Sequence, residues 1–108
     1  MLTFILKKEC FEKIDRGEKR VEYREVKPYW TQRLFNAGWA LYECRCGERM
    51  LNIFQPRICV FRLGYTDTRT DAYIDRIDIV DGKESDLHID KPVYAIHFRL
   101  KGDKDGTL

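Results

Sequence analysis

"GEKRVEYRE", residues 17–25, packs six charged side chains into nine residues. Successive side chains of a strand point to opposite faces. In an extended segment Val21 and Tyr23 share one face and read as its core side. Arg20, Glu22 and Arg24 share the other. The question is whether that second face is solvated surface or the floor of a cleft.

Working outward, Cys10, Phe11 and Ile14 stand at helical spacing and predict a helix over residues 8–16. Gly17 follows where a helix C-terminal glycine belongs, and it allows the turn that presents Lys19. Before the helix, residues 2–7 form a short apolar run, read as a buried strand. After residue 25, Pro28 suits the first position of a second short helix, with Trp30, Leu34 and Phe35 as its apolar side. Residues 39–42 and 49–54 read as the arms of a hairpin around a cysteine turn closed by Gly47. Strands are predicted over 57–63 and 72–80, the first running into a polar loop that starts Gly64-Tyr65. Residues 93–100 alternate most cleanly: Tyr94, Ile96, Phe98 and Leu100 on one face, Val93, Ala95, His97 and Arg99 on the other. The tail 102–108 reads as frayed.

Five to seven strands, two short helices and no βαβ rhythm predict a mixed α/β, mainly β fold. The expected form is a small barrel or rolled antiparallel sheet with helices packed at its ends. The 108 residues suit one domain, taken as residues 1–101. The composition is globular, 44% hydrophobic and 13% aromatic. A net charge of +2 is not that of a strongly basic nucleic-acid binder, though 20 basic residues leave room for a local patch.

No stretch approaches the roughly 20 apolar residues of a membrane span. Residues 1–6 lack a basic leader and a small-residue cleavage site, so no signal peptide is expected. A cytoplasmic location is the expectation. The four cysteines then read as reduced thiols. Cys44 and Cys46 look like half a metal knuckle. Cys10, Cys59, His88 and His97 supply no second spaced pair, so no metal and no cofactor is expected.

The run "FEKIDRGEKRVEYRE", residues 11–25, resembles the signature of the ASCH domain family, a branch of the PUA-like β-barrels. That signature is a short helix, then glycine-x-lysine, then glutamate-x-arginine, here Gly17, Lys19, Glu22 and Arg24. "KPYWTQRL", residues 27–34, and "FRLGYTDTR", residues 61–69, are similar to segments of small stand-alone members. Residues 37–55 match nothing in that pattern and read as an insertion. The resemblance implies a small PUA-like β-barrel with short flanking helices and a cleft beside the motif, which binds RNA or nucleotides. Some small members resemble hydrolases of N4-acetylcytidine that use a lysine, a threonine three residues later and a distant glutamate. Lys19 matches the lysine. Glu22 stands in the threonine position, and Glu43, Glu48 and Glu84 are the remaining glutamates for the third role. Other members are suspected ribonucleases.

The residues themselves allow the same chemistry. Glu22 and Arg24 are same-side neighbours on a strand. A guanidinium suits a phosphate or a base edge, and a carboxylate accepts from an exocyclic amine. Lys19 can reach a phosphate or a carbonyl oxygen. Tyr23, Tyr29, Trp30 and Tyr65 are candidate stacking surfaces for an unpaired base. Tyr23 and Trp30 also read as core. Arg62 and Arg69 flank the Tyr65 loop within reach of phosphates. His97 reads as structural, and His88 gets no role.

If the chain is an enzyme, Lys19 and Glu22 are the acid-base pair, with the lysine pKa lowered by Arg20 or Arg24. Three readings follow. The first is an RNA- or nucleotide-binding domain. The second is a hydrolase of a modified nucleoside, or a ribonuclease. The third is a protein-interaction domain with an exposed apolar patch around Trp39, its charged strand making only surface salt bridges.

Overall fold

The computed structural model describes residues 2–44, 47–52 and 57–101, with the backbone alone for 41–44 and 47–52. Cys46, the tail 102–108 and the side chain of Cys44 lie outside this description. The chain runs β1 (Leu2–Leu6), α1 (Lys8–Asp15), β2 (Val21–Glu25), α2 (Pro28–Asn36), β3 (Trp39–Cys44), β4 (Gly47–Asn52), β5 (Ile58–Leu63), β6 (Arg69–Asp81), a 3-10 turn (Gly82–Glu84) and β7 (Pro92–Leu100). The fold is mixed α/β and mainly β, with two short helices on a curled sheet.

Strand β6 organises it. Tyr73 pairs with both Ile58 and Arg99, and Ile77 with both Met50 and Ile96. A strand has two edges. One edge of β6 therefore carries β7, and the other carries β5 and then β4. The register of β6 on β7 shifts between Ile74 and Arg76. Such an irregularity bends a strand and sharpens its twist. Five strands follow one another as β1-β5-β6-β7-β2, and β4 and β3 continue as a hairpin. The pairing is antiparallel except for β1 on β5, which is parallel. The sequence reading of a small barrel or rolled antiparallel sheet did not include this parallel pair.

Helix α1 buries Phe11 and Ile14. It ends on Gly17 at φ +80°. The amide of Gly17 donates to Ile14 O at 3.0 Å and that of Glu18 to Lys13 O at 2.8 Å. That is the two-bond glycine cap of a helix C-terminus, and it needs the left-handed backbone that glycine adopts without cost. Helix α2 starts on Pro28 and buries Trp30 and Leu34, one turn apart. Phe35, predicted on the same side, is exposed. At about 100° per residue it falls off the buried stripe.

Strand β1 was read as buried throughout, but Leu2, Phe4 and Leu6 are buried while Ile5 is exposed. It is an edge strand with one face on the core. Phe4, Phe61, Phe98 and Trp30 join one hydrophobic cluster with Ile14, Leu34, Ile77 and Ile96. Trp39 is also buried in it. The exposed patch expected around that residue is absent at Trp39 itself.

Candidate functional site

The sheet decides which face of β2 looks inward. Glu22 pairs with Ile96 and Arg24 with Tyr94, while Val21 pairs with His97 and Tyr23 with Ala95. Directly opposed residues of an antiparallel pair project to the same side. Ile96 and Tyr94 belong to the hydrophobic core, so Glu22 and Arg24 lie on the core side of the sheet. The sequence reading had put Val21 and Tyr23 there. Both are only half-buried, and Glu22 is the buried residue of β2 at 5% exposure.

Burying a carboxylate is costly unless it is paired. Glu22 has a cation on each oxygen. Lys19 Nζ lies 2.8 Å from Oε1. Arg24 donates to Oε2 from Nε at 3.0 Å and from Nη2 at 2.7 Å. The same Nη2 donates to the Ile5 carbonyl at 3.2 Å. This bond crosses from β2 to β1, the two ends of the five-strand path, which share no backbone pairing. A side chain closes the curl where the backbone leaves it open. The guanidinium lies 4.8 Å from the Trp30 ring centre and 5.3 Å from that of Phe4. Trp30 also stacks on Phe4 at 5.3 Å. Its ring is thus a pedestal for Arg24, and little of it is left for a base.

Lys19 reaches the cluster because the Gly17 cap turns the chain, with its own amide bonded to Lys13 O at 3.2 Å. It also donates to Asp86 Oδ2 at 2.8 Å. Burial pulls the Lys19 pKa down, but Glu22 and Asp86 outweigh it and hold it above the ordinary lysine value. The expectation of a lowered pKa is therefore corrected: its nearest charged neighbours are carboxylates, not Arg20 or Arg24. Lys19 stays an ammonium at neutral pH.

Asp86 comes from the segment between β6 and β7, and nothing local in the sequence points to it. It is one residue past Ser85, the only serine. Ser85 Oγ donates to Gly82 O at 2.7 Å and accepts from the Leu87 amide at 3.1 Å. Gly82 closes the base of this segment. A Cβ there would lie 2.4 Å from Lys91 O, a contact no side chain tolerates. The backbone passes too close for any residue but glycine.

Together these residues wall a cleft of about 570 Å³. Lys19, Glu22, Tyr23, Arg24, Trp30 and Asp86 all line it, as does Cys10 from α1. The lining carries five lysine or arginine side chains against three carboxylates. Tyr65 and Arg69 are not in this wall. Tyr65 is 86% exposed, in a turn whose Gly64 amide donates to Leu6 O at 2.9 Å. That turn sits at the end of β1, beside the cleft. Arg69 is exposed and pairs with Arg62 across β5 and β6, and Arg62 donates to Thr66 O at 3.0 Å.

Elsewhere, Cys59 is fully buried on β5. Burial, with Asp71 and Glu22 adding to it, pushes its thiol up to about 12, which makes it unreactive. Among the described residues no group of three or more His, Cys, Asp or Glu is placed to hold a metal ion. No described helix is long and apolar enough to cross a membrane. Compared with known proteins, the chain matches no family model, no curated protein and no solved structure.

Proposed function

We propose that this chain is a PUA-like domain of the ASCH kind that binds RNA or a nucleotide-like ligand in the cleft between β1 and β2. The observation that carries the reading is the placement of Lys19, Glu22 and Arg24. They form a buried ion cluster on the core side of the sheet and in the wall of an open cleft. Such a cluster is a poor device for stability: apolar residues of similar volume often do as well or better. Its value lies in presenting fixed donors and acceptors to a ligand. Arg24 offers a planar guanidinium, and the surplus of cations in the wall favours an anionic partner. The volume lies within the roughly 300–1,000 Å³ of small-ligand sites.

The test is an NMR titration of the labelled chain with a short mixed-sequence single-stranded RNA at near-physiological salt. Shifts clustered at residues 19–24, with affinity falling steeply as salt rises, are the expected result. A silent spectrum overturns the RNA reading.

Hydrolysis of a modified nucleoside is the second reading, and one contact favours it. Asp86 puts a distant carboxylate on Lys19, a role for which the sequence offered only glutamates. The raised pKa of Lys19 opposes its use as a base. Incubation with N4-acetylcytidine, followed for release of cytidine and acetate, decides between the two.

A further inference from the structure

Lys19 holds two carboxylates of unequal standing. Glu22 is 6% exposed in its side chain and has its other oxygen on Arg24. Asp86 is 51% exposed, and Lys19 is the one cation paired with it among the described residues. Exposed pairs contribute about 0–1 kcal/mol, whereas removing one partner of a buried pair costs about 3–5 kcal/mol. An incoming anion can therefore exchange with Asp86 but not with Glu22. A third anion on the ammonium, beside both Glu22 and Asp86, would add like-charge repulsion at contact.

Building on the nucleotide-binding reading, we propose that the place of the Asp86 carboxylate on Lys19 is the phosphate subsite of the cleft. Asp86 is an internal placeholder that the ligand's phosphate replaces. The surrounding backbone allows this without unfolding. Ser85 and Gly82 brace the turn, and the Ile89 amide donates back to Gly82 O at 3.2 Å. Only the Asp86 side chain has to rotate towards solvent. With Asp86 withdrawn, Lys19, Glu22 and Arg24 carry one net positive charge, and Lys7, Lys13 and Lys27 of the wall add to it against the single charge of Glu25. The nucleoside part then lies towards Arg24.

The experiment is calorimetric titration of the wild-type chain, D86N and D86A with cytidine 5′-monophosphate and with cytidine. An intact NMR spectrum serves as the folding check. Both variants are expected to bind the monophosphate about two- to fivefold more tightly than wild type, the size of one exposed ion pair. Cytidine binding stays unchanged, and inorganic phosphate competes with the monophosphate. Equal or weaker monophosphate binding by both variants, while wild type binds it, overturns the placeholder and leaves the cleft reading standing. Equal tightening for cytidine overturns it too, because no phosphate is involved. Failure of all three proteins to bind nucleotide or RNA overturns the cleft reading and the placeholder with it.

Discussion

Both faces of this sheet carry ion pairs, and their surroundings differ. On the core side, Glu22 sits between Lys19 and Arg24, with the guanidinium against Trp30 and Phe4. On the other side, Arg99 pairs with Asp75 at 3.0 Å and Arg76 with Asp78 at 2.9 Å, each arginine more than half exposed. His97 adds a contact to Asp78 at 3.2 Å. The arginines of the outer pairs stand in water, where salt screens them. The inner ones are held by the fold, with fewer alternatives open to each charge. The same residue types thus pair in the open on one side and in a largely enclosed cluster on the other.

The largest expected effect separates the two faces directly. Glu22→Ala leaves Arg24 without its carboxylate and Lys19 with Asp86 alone, and should cost about 3–5 kcal/mol in urea unfolding. Arg99→Ala, its counterpart outside, should cost no more than about 1 kcal/mol. Similar losses for both variants would erase the distinction.

Gly82→Ala comes next. Its Cβ would collide with the Lys91 and Ile89 carbonyl oxygens, at an expected cost of about 1–3 kcal/mol. Because Gly82 braces the turn that holds Asp86, NMR shifts should reach Lys19. Shifts confined to residues 82–91 would show that this turn does not support the inner cluster.

A chemical probe sharpens the contrast between core and cleft. Cys59, with its thiol pushed up to about 12, should resist alkylation in the native state. Cys10, half-buried in the cleft wall, should react and be protected by bound RNA. Site-mapped mass spectrometry reads both. Protection of neither, with RNA bound, would place the ligand elsewhere.

The smallest effect is the pH dependence of the outer face. Burial, with Arg76, lowers the His97 pKa below its ordinary 6.5 despite Asp78. A lowered folded value means that the unfolded chain binds the proton more readily. The contribution of His97 is therefore complete above about pH 6.5 and is lost as pH falls through the folded value. His97→Gln should flatten that acid limb in a series of melting curves. Lys19 has the opposite sign. Its raised pKa gives stability that is full below 10.5 and lost as pH rises through the folded value. An unchanged acid limb in His97→Gln would assign it to carboxylates instead.

Much of this protein was legible locally. The Gly17 cap, Pro28 at the head of α2 and the alternation of β7 are signals carried by one to eight neighbouring residues. They act through backbone preference and side-chain period, so no distant partner is needed. The cluster Lys19, Glu22 and Arg24 was legible as a pattern for the same reason: a spacing of two on a strand puts two side chains on one face. What could not be read was which face that is. Val21-Glu22-Tyr23-Arg24 alternates equally well either way up. Only the pairing of Glu22 with Ile96, 74 positions along the chain, turns the charged face inward.

The sequence by itself determined the helices, most of the strands and the existence of a charged strand face, because short-range geometry is enough for these. Tertiary structure alone decided the rest. It paired β1 with β5 in parallel and left the curl open between β1 and β2. It brought Asp86 onto Lys19 across 67 residues. Each of these depends on sheet register and loop closure, in which free energy is gained only when distant segments meet.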